Sequence, residues 1–133
     1  MMLVDTNVLS ELARPRPNTA VVDWLGAQSR IHLSVVTLEE LAFGVARANG
    51  AARARLRTWL DALLAARPIL LDVTPAVARA SGELRAARET RGRRVAMADM
   101  LIAATALTHG LTLVTRNVSD FEGCGVTLLD PFG

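Results

Sequence analysis

The sequence predicts an α/β domain with a short central parallel sheet and helices on both faces, and three observations point there. Short apolar, β-rich runs recur along the chain. Longer segments with helical spacing separate them, which is the pattern of a parallel sheet connected by crossover helices. Acidic or amide side chains also stand where apolar elements begin or end, at Asp5, Glu40, Asp99 and Asn117/Asp120. In parallel sheets, chemistry gathers at the carboxyl ends of strands. With 133 residues, 51% of them hydrophobic, the chain is read as one domain over 1–133. A chain of this size buries roughly two-thirds of its unfolded surface.

Met2-Leu3-Val4 is the first strand; Asp5 ends it, and Thr6 to Leu12 reads as a helix. Arg14-Pro15-Arg16-Pro17 is a helix–helix connection. Asn18 then caps a helix carrying Val21, Val22 and Leu25. Ile31 to Val35 is expected as a strand, and Thr37 as the start of a helix with Leu38, Leu41, Ala42 and Val45 on one face, closed by Gly50. Leu56, Trp59, Leu60, Leu63 and Leu64 repeat the helical spacing as far as Arg67-Pro68. Ile69-Leu70-Leu71 makes a further strand. Thr74-Pro75 supplies a cap and a first-turn proline for a helix with Val77, Ala80, Leu84 and Ala87. Ala96 to Thr108 is apolar nearly all round, the mark of a buried helix, and Gly110 stops it. Leu111 to Thr115 is a strand, followed by a polar turn and a last strand, Val126 to Leu129.

Composition excludes several classes. No apolar run reaches the roughly 18 residues that cross a bilayer, and no secretory leader opens the chain, so a cytoplasmic protein without a membrane partner is expected. Cys124 is the only cysteine, which rules out an internal disulfide and a cysteine-cluster metal site. All 15 basic residues are arginine, so neither a P-loop lysine nor a Schiff base is available. Net charge is only +2, yet Arg79, Arg85, Arg88, Arg91, Arg93 and Arg94 are interrupted by just Glu83 and Glu89. That run reads either as a solvated helix face or as a phosphate-binding surface.

Each carboxylate has a structural reading beside a chemical one. Asp5 suits a helix N-cap. Glu40 completes a capping box with Thr37, which would still hold it near the strand end, while Glu39 faces water. Asp99 lies among Met97, Ala98, Met100, Leu101 and Ile102, where an unpaired ionised carboxylate is costly; it is either a cap or a group in a polar cleft or on a cation. Asn117 and Asp120 are ordinary turn residues that bring a further cluster of oxygens to the same region. Two carboxylates about 4 Å apart repel by about 4 kcal/mol at an effective dielectric of 20. Convergence of Asp5, Glu40 and Asp99 would therefore call for a cation, and oxygen ligands favour Mg²⁺ or Mn²⁺. His32 and His109 have no zinc-site spacing. Phosphodiester hydrolysis by metal-activated water is the economical chemistry for such a site.

Four segments carry a resemblance: Leu3-Val4-Asp5-Thr6-Asn7-Val8-Leu9-Ser10-Glu11-Leu12; Ser34 to Leu41 with Gly44; Ala98-Asp99-Met100-Leu101-Ile102-Ala103-Ala104-Thr105-Ala106; and Leu113-Val114-Thr115-Arg116-Asn117-Val118-Ser119-Asp120-Phe121. Together, in this order and over the whole chain to Asp130-Pro131-Phe132, they resemble the PIN-domain ribonucleases of the VapC toxin type, in the FitB-like branch. The resemblance implies a PIN-like fold and a Mg²⁺- or Mn²⁺-dependent endoribonuclease that leaves 5′-phosphate and 3′-hydroxyl ends. It also implies the toxin half of a type II toxin–antitoxin pair, homodimeric, with a VapB-type antitoxin. Asp5, Glu40 and Asp99 match the central acidic ligands, and Asn117 or Asp120 supplies the fourth position. Thr115 matches a small hydroxyl residue at the strand end; with Thr6 and Arg116 it is expected on the substrate side. Subunits are expected to pair through apolar faces of the first helices and of the helix after Thr74.

Three other readings compete. A PIN-like module could bind RNA or protein without cutting it, and a nuclease of this kind could act on DNA. Phosphotransfer domains also place Asp at a strand end, but receivers need a lysine and the phosphatases need Asp-x-Asp where this chain has Asp5-Thr6-Asn7.

Overall fold

The computed structural model describes residues Met1–Gly133. Its elements are β1 (Met2–Val4), α1 (Thr6–Leu12), α2 (Thr19–Gly26), β2 (His32–Ser34), α3 (Val35–Arg47), α4 (Gly50–Ala65), β3 (Ile69–Leu71), α5 (Pro75–Thr90), α6 (Met97–His109), β4 (Thr112–Val114), α7 (Val118–Phe121) and β5 (Leu128–Leu129). The five strands form one sheet in the order β3-β2-β1-β4-β5, every pair parallel. Parallel strands need crossovers, and those crossovers put helices on both faces.

Alternation along the central strands builds the two layers. Leu3 and Leu113 belong to one buried cluster with Met100, Ile102, Ala103, Ala106 and Phe121. Their neighbours Val4 and Val114 belong to the other, with Val8, Leu9, Val21, Leu33, Leu41, Val45 and Leu60. Helix α6 is therefore apolar around most of its surface because it is sealed against the sheet by one side and against α5 by the other, and Gly110 ends it at φ 64°. On α5 the buried positions are Val77, Ser81 and Arg88. No large hydrophobic of α5 is exposed, the exposed ones being Met1, Val22, Phe43, Leu70, Val73, Met97 and Leu107. Of the stripe expected on the Thr74 helix, Val77 is buried, Ala80 and Leu84 are partly buried and Ala87 is exposed, so only small apolar surface is left on it for pairing.

Several boundaries differ from expectation. Helix α3 starts at Val35, because Ser34 caps it by accepting from the Val36 N–H at 3.0 Å; the β-branched run Val35-Val36-Thr37 hid that turn. Thr37 is consequently a buried residue inside the helix, and the capping box with Glu40 does not form. Gly50 opens α4 at φ 55° instead of closing α3. The polar turn after β4 contains the short helix α7, anchored by the buried Phe121. No helix is long and apolar enough to cross a membrane.

Candidate active site

The register of β1 and β4 pairs Val4 with Val114, so the next residue of each strand, Asp5 and Thr115, meet at the carboxyl edge of the sheet. Asp5 is 4% exposed and its two oxygens are divided. Oδ1 accepts from the Thr6 N–H at 2.7 Å, capping α1. Oδ2 accepts from the Thr115 hydroxyl at 2.8 Å and from the Asn7 amide at 3.1 Å. Burial pushes the Asp5 carboxyl up from the usual carboxylate range; the Thr115 and Thr6 bonds pull against it, and the charge of Glu40 adds to the rise. The cap and the site are one residue.

Glu40 lies in the second turn of α3, and its Oε1 accepts from the Thr6 hydroxyl at 2.6 Å. Thr6 Oγ1 also lies 3.2 Å from the Thr37 hydroxyl. With one proton to give, Thr6 commits it to the shorter contact with the carboxylate. Glu39 is exposed, as expected from its angular position.

Asp99 sits in the first turn of α6, whose N-cap is Ala96, so it is not the cap. It is half-buried, and no ion pair meets it. Burial first, then the charges of Asp5, Glu40 and Asp120, push its carboxyl up to about 6. This is an anionic site short of positive charge.

Asp5, Glu40, Asp99 and Asn117 line one cleft of about 520 Å³, completed by Thr6, Asn7, Ser10, Glu11 and Arg14, with no hydrophobic residue in its wall. No three Asp, Glu, His or Cys side chains are grouped to hold an ion by themselves. Of the two residues expected to share the fourth position, Asn117 lines the cleft. Asp120 is exposed on α7 and outside the lining, although its charge is felt at Asp99.

Of the three residues expected on the substrate side, Thr6 lines the cleft and Thr115 and Arg116 do not. Thr115 is fully buried; its hydroxyl is taken up by Asp5, by the Asn7 amide at 3.2 Å and by the Asn117 N–H at 3.1 Å, so it orders the site from behind. Arg116 lies outside the cleft wall with its guanidinium 4.6 Å from the centroid of the Phe132 ring. Thr6 does line the cleft, with its hydroxyl held by Glu40. Within the arginine run, Arg88 is 4% exposed and donates to the carbonyls of Glu122 and Asp120. It is an internal strut and no part of a phosphate-binding surface. His32, at the start of β2, stands at the opposite edge of the sheet.

Sequence reasoning passed over Asn7, Ser10, Glu11 and Arg14. The signal was present: these residues recur at the spacing of one helix face. Asn7 in particular joins the strand ends, donating to Asp5 and Thr115 while its Oδ1 accepts from the Arg116 N–H at 3.1 Å.

A parallel sheet in this order, carrying an acidic cleft at its carboxyl edge, is the architecture of a PIN domain, and the PIN domain family model matches residues 2–122. The VapC ribonuclease Y4jK of Sinorhizobium fredii is 36% identical, covering 99% of this chain and 98% of its own length. Toxin FitB of Neisseria gonorrhoeae is 37% identical with 99% of each chain covered. Among solved structures, FitAcB from Neisseria gonorrhoeae superposes with a TM-score of 0.86 at 37% identity over 99% of both chains. VapBC2 from Rickettsia felis, bound to a DNA fragment from its promoter, gives 0.81 at 26% identity over 96% of both. The chain belongs to the PIN-domain family, in the branch of the VapC and FitB toxins.

Proposed function

We propose that this protein is a Mg²⁺- or Mn²⁺-dependent endoribonuclease, the toxin of a type II toxin–antitoxin pair, acting in the cytoplasm as a homodimer and restrained by a VapB-type antitoxin. One observation carries the reading. Asp99 shares an entirely polar cleft with Asp5 and Glu40 and forms no ion pair there, and burial together with the charges of Asp5, Glu40 and Asp120 pushes its carboxyl up to about 6. The names of the related VapC ribonucleases support it.

The donor chemistry of the cleft fits a hard divalent ion. Mg²⁺ keeps several waters and takes only one or two protein carboxylates, which suits a site where no three acids cluster. Asp5 and Asp99 would hold it, with Glu40 and Asn117 in the same cleft wall to supply further oxygens. When bound, the ion offsets phosphate charge and makes a nearby water a better nucleophile. The chain's own residues do the rest. Thr115, Asn7 and the Thr6 N–H fix the Asp5 carboxylate before any ligand arrives, so little reorganisation is needed. Thr6 holds Glu40 by one oxygen and leaves the other free to orient a water or take its proton.

The test incubates purified, antitoxin-free protein with labelled single-stranded RNA and tRNA in Mg²⁺, Mn²⁺ or EDTA. Cleavage that stops in EDTA and in Asp99→Asn supports the proposal. Cleavage indifferent to EDTA, or none with either metal, defeats it. Binding of RNA without cutting would instead favour a non-catalytic module, and cutting of single-stranded DNA in preference to RNA a DNA-directed nuclease.

A further inference from the structure

Four carboxylates, those of Asp5, Glu11, Glu40 and Asp99, line the cleft, and Arg14 is the only cation among its wall residues. A polyanionic strand entering there meets repulsion unless a positive group receives it. Arg14 is placed for that task and held in it. Its Nη1 donates to Glu11 Oε1 at 3.3 Å. Glu11 is itself 7% exposed and fixed by the Asn18 N–H on its other oxygen at 2.8 Å. The guanidinium, whose side chain is 66% exposed, has spent one donor of five and keeps the others for a phosphate. Asp5 caps the amino end of α1 and Arg14 lies just beyond its C-cap Ala13, so the two stand at opposite ends of a 7-residue helix that is roughly 10 Å long at a rise of 1.5 Å per residue.

We propose that Arg14, oriented by Glu11, is a phosphate-binding residue that receives the RNA backbone at a nucleotide flanking the one over Asp5 and Asp99. The assignment rests on the ribonuclease reading for its ligand but not on cleavage for its test. Arg14 binds the strand and touches no reacting atom, so it acts on affinity.

Binding of a labelled single-stranded RNA is followed by fluorescence anisotropy over a series of salt concentrations, in EDTA and again in Ca²⁺. The full-length chain is compared with Arg14→Gln and with Arg30→Gln. Arg30 is an exposed arginine that precedes β2 at the opposite edge of the sheet, so its variant loses the same charge away from the cleft. The slope of log affinity against log salt should fall by about 0.7 in Arg14→Gln, with Kd at low salt rising roughly three- to tenfold, while Arg30→Gln matches the parent. Equal slopes in the parent and Arg14→Gln, or no salt-dependent binding by the parent in either condition, overturn the assignment. Arg14-dependent binding without cleavage in Mg²⁺ or Mn²⁺ upholds it and overturns the ribonuclease reading instead.

Discussion

The Thr115 hydroxyl donates to Asp5 Oδ2 at 2.8 Å, joining residues 110 positions apart in the chain. The bond is fully inside the protein at its Thr115 end, and it is the largest influence holding the buried Asp5 carboxyl down against desolvation. Thr115→Val keeps the shape and removes the donor. A lost buried hydrogen bond to a charged group costs roughly 1.5–3 kcal/mol, so urea unfolding should register a loss of that size. Metal-dependent RNA cleavage should fall about tenfold or more as Asp5 becomes harder to ionise. Unchanged stability together with unchanged cleavage would show that the hydroxyl is dispensable.

Asp99 makes stability and function oppose each other. Its carboxyl titrates at about 6 in the folded protein against 3.8 ordinarily, so the folded state binds the proton more tightly than the unfolded one. The penalty is absent below 3.8, grows as pH rises towards 6, and is complete above it. In EDTA, Asp99→Asn should therefore be more stable than the parent at pH 7.5, by about 1–2 kcal/mol after discounting for partial exposure. The two should converge near pH 4. The same variant should lose at least about a hundredfold in cleavage. A stability gap that does not change with pH would refute this account of the site.

Much of the fold was legible because it is carried by local pattern. Leu3 and Val4, or Leu113 and Val114, face opposite cores simply by alternating, and Thr74-Pro75 announces the start of α5. The start of α3 was misread because Ser34 and Thr37 are both good caps, and only the contact of Thr37 with Thr6, packed from another helix, decides between them. The acids Asp5, Glu40 and Asp99 could be nominated from their places beside apolar elements. The roles of Thr115 and Arg88 could not. Each depends on a partner brought close by the sheet or by helix packing, and a charged residue in an arginine run gives no sign that it is buried.

Divalent cation should stabilise the folded chain through the same acids. A ligand that binds only the native state raises stability by about 2.7 kcal/mol at a hundredfold excess over its dissociation constant. A thermal shift in Mg²⁺ or Mn²⁺ relative to EDTA is expected in the parent and should be largely lost in Asp99→Asn, which relieves the repulsion without metal. Asp120→Asn should keep most of it, since Asp120 lies outside the cleft wall. Equal shifts in all three proteins would place the ion elsewhere.

Arg88 gives the last prediction, because it is a buried cation whose partners are backbone carbonyls. It donates to Asp120 and Glu122 at the end of α7, a four-residue helix too short to hold its own terminus, and its Nε has no partner at all. Gly123 follows at φ 84°, and a Cβ built there would stand 3.1 Å from Arg88 Nη1, so the loop is fitted around the guanidinium. Arg88→Met should free the segment 117–123 that carries Asn117 and Asp120 while leaving the sheet intact. A modest stability loss of about 1–3 kcal/mol is expected, because the variant removes an incompletely satisfied buried charge along with its bonds. Hydrogen exchange should rise in that segment and stay low in β1 and β4. Protection spread evenly across the protein, or unchanged at 117–123, would mean that Phe121 alone holds the loop.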